Sequence, residues 1–205
     1  MNRVYFLGGS PGSGKTTFAD AIYKNLGIPA YHADDIFLAS DVNQNKQPHM
    51  FGLCELSNPL DIWKRSPQSC LDFWLKYYEE AFGILMENLH QRPEGLHPLL
   101  AEGVCILPQF LEKIDCKSNA FFLISCHTFL EEAISRKLKQ IPAFFDKHES
   151  HKMYENMLYV FSSISQIMIE DCKRANFPYL FIQNEKDYSM NYQKITRQFS
   201  LLEKV

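Results

Sequence analysis

The stretch Gly9-Ser10-Pro11-Gly12-Ser13-Gly14-Lys15-Thr16 constrains the fold more than any other segment of this 205-residue chain. It satisfies the pattern G-x-x-x-x-G-K-[ST], with Gly9, Gly14, Lys15 and Thr16 at the fixed positions. The apolar run Val4-Tyr5-Phe6-Leu7 precedes it and a helical pattern from Thr17 to Leu26 follows. Strand, tight loop and helix is the setting in which the pattern carries meaning. Glycines let the backbone curl so that successive N–H groups point at one anion, and the helix aims its positive end at the same place. The loop therefore predicts a polyphosphate cradle made by Gly9, Ser10, Pro11, Gly12, Ser13, Gly14, Lys15, Thr16 and Thr17. Lys15 is expected on the β- and γ-phosphates, Thr16 on a Mg²⁺ ion and Thr17 beside the α-phosphate. A dinucleotide fingerprint is excluded, because Thr17 stands where its third glycine should be.

Short apolar runs alternate with helical patterns along the chain, which predicts βαβ units around a five-stranded parallel sheet in a three-layer α/β sandwich. The candidate strands are Arg3–Leu7, Ala30–Ala33, Pro98–Ala101, Ala120–Ser125 and Tyr179–Gln183. After the first helix, which closes at Gly27, a second is expected over Cys70–Leu89. Its Leu71, Trp74, Tyr78, Phe82, Leu85 and Leu89 form one apolar stripe. Thr128 and Glu131 read as a capping box opening a third helix to Lys139. A fourth is expected from His151 to Ala175, stopped by Asn176 and Pro178. Residues 40–67, rich in Asn, Gln, Pro and Ser, read as a connection into a substrate-covering segment that runs to about residue 98. A lid-like region is expected at about 128–150, within one domain spanning 1–205.

Composition narrows the partners. A net charge of -3 gives no general pull towards nucleic acid or an anionic membrane. No stretch nears the roughly 20 apolar residues that span a bilayer, and the N-terminal apolar run is too short for a signal segment. Six cysteines without a C-x-x-C pair read as free thiols, so a cytoplasmic protein is expected. His148 and His151 sit three apart but have no third ligand at sensible spacing.

GTPases share the glycine loop, but they read guanine with N-K-x-D. Here the corresponding stretch is Asn184-Glu185-Lys186-Asp187, with lysine one place late. The second strand runs into His32-Ala33-Asp34-Asp35-Ile36-Phe37, placing two carboxylates at the carboxyl end of a parallel strand, where α/β sheets bind ligands. One such acid can accept the proton of an attacking hydroxyl while the other helps hold hydrated Mg²⁺; either also suits a helix N-cap. With these motifs, GSPGSGKTT and HADDIF, the chain resembles the P-loop small-molecule kinases, among them nucleoside, nicotinamide riboside, uridine and shikimate kinases. Leu99-Leu100-Ala101-Glu102-Gly103 is similar to the third-strand acid-glycine element of that group.

The resemblance implies the P-loop NTPase fold with strand order 2-3-1-4-5. It makes Asp34 the catalytic base, puts Glu102 near the metal water with Asp35 beside it, and makes Arg136 the lid cation over the transferring phosphoryl group. That group usually carries two or more lid arginines, whereas this helix offers Arg136 with Lys137 and Lys139. The expected activity is MgATP-dependent transfer of the γ-phosphoryl group to a hydroxyl or phosphate of a small metabolite, a nucleoside or nucleotide among the candidates. The segment from Trp63 to Leu89 is expected to shape the acceptor pocket, with Asp34, Trp63, Arg65 and Tyr77 touching the acceptor. Arg92 borders the same segment, and Trp74 and Tyr78 read as packing residues. Two other readings stay open from sequence: an ATP-binding or ATP-hydrolysing regulatory protein, and a polynucleotide-end kinase.

Overall fold

The computed structural model describes residues 4–34, 59–92, 98–114, 116–139 and 147–201. Five strands, β1 (Val4–Gly9), β2 (Ala30–His32), β3 (Leu99–Glu102), β4 (Ala120–Ser125) and β5 (Tyr179–Ile182), form one sheet in the order β2-β3-β1-β4-β5. All four pairings are parallel. Order, direction and layers are those expected, and the glycine loop joins β1 to the first helix, so the chain has the P-loop α/β fold.

Alternation along β1 sorts the core into two layers. Tyr5 and Leu7 face α1 (Lys15–Leu26) and meet Phe18, Ile22, Ile195 and Phe199. Phe6 points the other way, into a cluster with Phe122, Leu85 and Ile164. That second layer holds α2 (Pro67–His90), the short α3 (Pro108–Leu111) and α5 (Lys147–Ala175). Strands buried on both faces read as continuous apolar runs, and β4, AFFLIS, is buried along its whole length.

Caps decide the helix ends. Ser66 accepts a hydrogen bond from the Ser69 amide at 3.3 Å and Pro67 takes the first helical turn, so α2 begins three residues earlier than its apolar stripe suggests. Gly27 closes α1 at φ 67°. After α5, Asn176 adopts φ 56° and the Phe177 amide returns to the Cys172 carbonyl at 2.9 Å, the stop that Asn176 and Pro178 imply. The fourth helix starts at Lys147 rather than His151, and the third, α4, covers His127–Lys139. One helix has no counterpart in the sequence reading: α6, Tyr188–Gln198, packs on the α1 side of the sheet. No helix among the described residues is long and apolar enough to cross a membrane. Much of the expected substrate-covering segment, residues 35–58 and 93–97, and residues 140–146 of the lid-like region lie outside the described residues.

The sheet also fixes the loop's starting point. A Cβ on Gly9, which sits at φ 152°, would run into the Leu123 carbonyl of β4, and the Ser10 amide donates to that same oxygen at 2.9 Å. Gly9→Ala is expected to cost about 1–3 kcal/mol through this overlap, read as a lowered Tm in thermal unfolding. An unchanged Tm would contradict the close approach of β1 to β4.

Candidate active site

The residues after β1 form a closed turn with internal order. Lys15, only 6% exposed, donates from Nζ to the Ser10 carbonyl at 3.0 Å, across the base of the loop. Ser10, fully buried, uses its hydroxyl oxygen to accept from the Ser125 amide at 2.8 Å, which ties the loop to the carboxyl end of β4. Gly14, at φ 82°, makes the left-handed turn that starts α1. Gly12 lies so close to α4 that a Cβ there would sit 2.5 Å from the Ala133 Cβ. Arg136 is one turn along from Ala133, and it reaches the same cavity as the loop.

Behind the loop is a carboxylate held by two strands and a helix. Glu102, 1% exposed at the end of β3, is in register with Leu7 of β1 and His32 of β2. Its Oε1 accepts from the Thr16 hydroxyl at 2.9 Å and lies 2.7 Å from His32 Nδ1. Its Oε2 is buried with no hydrogen-bond partner. Hard oxygen donors of this kind suit Mg²⁺, and a carboxylate with one unspent oxygen behind a threonine hydroxyl fits a hydrated Mg²⁺. Asp35, expected at the same metal, lies outside the described residues. Among the described residues no cluster of three or more His, Cys, Asp or Glu side chains forms a separate metal site, and His151 pairs instead with Glu155 at 3.3 Å.

Asp34 follows β2 on a short turn and is exposed to the cavity. Gly103 makes room for it: a Cβ there would lie 2.7 Å from the Ala33 Cβ and 3.4 Å from Asp34 Oδ1. Burial, and then the Asp34 charge, holds the Tyr77 and Tyr78 phenols and the Cys105 thiol well above their ordinary pKa values. These groups therefore stay neutral around the carboxylate.

One cavity of about 910 Å³ joins these parts, near the upper end of the roughly 300–1,000 Å³ usual for ligand sites. Pro11 to Phe18 form one wall and Asp34 lies in the same space. At one end are Phe129, Ile182, Asn184, Tyr188 and Asn191; at the other are Trp63, Trp74, Tyr77, Tyr78, Val104, Met157 and Phe161. The first end was not foreseen from sequence. Asn184 exchanges two hydrogen bonds with Asp187, from its Nδ2 to Asp187 Oδ2 at 3.0 Å and from the Asp187 amide to its Oδ1 at 3.2 Å, and this turn leads into α6. Asn191 is 3% exposed and lines the cavity, while Tyr188 stacks on Phe18 at 4.8 Å. An N-x-x-D turn before a helix is the signal that marks this end.

Of the expected substrate contacts, Trp63 and Tyr77 line the cavity, but they are buried rather than the freer rings of the set, at 5% and 4% exposure. The Asn156 amide donates to the Trp63 and Arg65 carbonyls at 2.6 and 2.9 Å and fixes the 3-10 turn Pro59–Lys64 against α5. Trp74, expected to be packing, is only half-buried and lines the cavity as well. Arg65 does not line it: its exposed guanidinium lies 5.8 Å from the Phe73 ring centroid, on the far side of that turn. The carbonyl held by Asn156 turns the side chain outward.

No protein-family model matches the sequence, and no curated protein does. Among solved structures, the chain is similar to an uncharacterized protein from Eubacterium ventriosum ATCC 27560, at 13% identity over 98% of this chain and 99% of the other, with a TM-score of 0.44. It is also similar to a gluconokinase from Sinorhizobium meliloti 1021, at 15% identity over 98% of this chain and 93% of that one, with a TM-score of 0.48. Likeness at this level bears on neither substrate nor activity; the fold itself rests on the strand order and the loop between β1 and α1.

Proposed function

We propose that the protein is a phosphotransferase that moves the γ-phosphoryl group of MgATP to a hydroxyl of a small metabolite. The observation that carries this reading is the meeting of the glycine loop and Asp34 in one cavity, with the Thr16–Glu102 hydrogen bond at its edge. The loop amides and Lys15 bind the polyphosphate, and Arg136 offers positive charge where the transferred group develops its own. Thr16 and Glu102 are the residues that hold Mg²⁺, which when bound neutralises phosphate charge and orients the oxygens. Asp34 accepts the acceptor's hydroxyl proton as the new O–P bond forms and the bond between the β-bridging oxygen and the γ-phosphorus breaks, releasing ADP. The end of the cavity formed by Phe129, Tyr188 and Asn191 supports a nucleobase site, with flat rings beside an amide that can both donate and accept. Free thiols and the lack of a spanning helix among the described residues agree with a cytoplasmic enzyme.

The test is transfer of label from γ-labelled ATP to a small-molecule acceptor in the presence of Mg²⁺. Labelled product that depends on both Mg²⁺ and acceptor is the expected result. Label released only as free phosphate, at a rate no acceptor changes, would overturn the reading in favour of a hydrolase.

A further inference from the structure

The two ends of the cavity differ in charge as well as shape. Lys15 and Arg136 are the only cations lining it among the described residues, and both stand at the loop, Arg136 one turn from the helix position that touches Gly12. Around Asp34, at the opposite end, the described walls are rings and aliphatic groups. Trp63 and Trp74 are 5.3 Å apart with planes 26° from parallel, and Tyr77 meets Trp74 edge-on at 5.1 Å. Phe161 closes the back of Trp63 at 5.8 Å and 89°. Such a cluster holds its rings rigidly and turns π-faces and edges, rather than charges, towards whatever enters.

A phosphate or sugar-acid carboxylate placed there would lose its water and meet Asp34 with no described cation to offset the repulsion. Burying such an unpaired charge is strongly unfavourable. A polyol would give up many water hydrogen bonds against walls that return few of them. A flat heteroaromatic ring suffers neither loss, and stacking on an aromatic side chain contributes roughly 1–3 kcal/mol per ring.

We infer that the acceptor is a planar heteroaromatic compound without negative charge that carries an alcohol able to reach Asp34. This rests on the phosphotransferase reading and narrows it: anionic acceptors such as sugar acids and nucleoside monophosphates are discriminated against. The ring seats against the Trp63–Trp74 wall, and its alcohol points past Tyr77 and Tyr78 to the carboxylate.

The two tryptophans of this wall are the only two in the chain, so intrinsic fluorescence reports occupancy without any need for turnover. With the loop filled by a non-hydrolysable MgATP analogue, adenosine, uridine and pyridoxine are titrated against gluconate and AMP. At least one ring compound is expected to change the emission with a Kd tenfold or more below those of both anions. Trp74→Leu is expected to weaken that ring compound at least tenfold by calorimetry, and Trp74→Phe to restore most of the loss, which a merely misfolded variant would not do. Tighter binding of gluconate or AMP, or silence towards all three ring compounds, would overturn the inference even if label transfer to some other acceptor is observed. Ring binding without label transfer to any acceptor would uphold the pocket's chemistry and overturn the phosphotransferase reading instead.

Discussion

Lys15→Ala is expected to remove measurable MgATP binding in calorimetry while the protein stays folded. In the structure the ammonium is almost buried and rests on the Ser10 carbonyl, 3.0 Å away, so it is already at the mouth of the loop with little side-chain entropy left to lose. With polyphosphate present it would exchange that neutral acceptor for charged oxygens. Hydrogen bonds to charged groups contribute roughly 1.5–3 kcal/mol each. Losing two of them raises Kd by about 100-fold or more, since each 1.4 kcal/mol is a factor of about ten. Stability should change little, because the substitution removes a desolvated charge along with its one neutral partner. A variant that unfolds at the wild-type temperature yet binds MgATP as tightly as before would show that the loop is not the phosphate site.

The loop was legible because its chemistry is local. Glycine positions, the lysine and the threonine act through backbone shape within eight residues, so the pattern predicts both geometry and ligand. The strands were legible for a related reason: a strand covered on both faces has to be apolar at every position, as in β4. α6 was missed because its sequence, YSMNYQKITRQ, buries only Asn191, Ile195 and Thr196. Its anchor is the stack of Tyr188 on Phe18, a contact between residues 170 apart in sequence that no local period announces.

The acceptor end shows where sequence reasoning loses its grip. Helical periodicity placed Trp74 on the apolar stripe of α2, and so it is, but the stripe faces a cavity at that turn rather than a filled core. Trp63 looked free because no period claimed it, yet a buried amide from α5, Asn156, pins its backbone and leaves the ring 5% exposed. Arg65 was drawn to the acceptor by charge and position; the same amide holds its carbonyl and sends its side chain to Phe73. Each of these outcomes depends on α5, which lies some ninety residues away in the chain. The Glu102–His32 contact at 2.7 Å is of the same kind, created by the pairing of β2 with β3.

Asp34→Asn is expected to lower kcat by about 10²–10⁴-fold, the span that positioned general bases contribute, with the affinity for MgATP unchanged. The substitution keeps the size and the hydrogen-bonding shape of the side chain but removes its ability to take up a proton. Its surroundings make the loss specific. Tyr77, Tyr78 and Cys105 are held neutral by burial and by the Asp34 charge itself, so none of them is poised to act as a substitute base. The backbone around Asp34 is set by Gly103 and Ala33 rather than by its carboxylate, so the exchange should leave the turn in place. Single-turnover label transfer separates this effect from binding: the expected result is a slow step at saturating acceptor and MgATP. Full activity in Asp34→Asn would move the proton acceptor to another group and would break the link between the turn after β2 and the chemistry. A loss confined to acceptor KM would instead make Asp34 a binding group, with the alcohol's proton leaving to the phosphoryl oxygens.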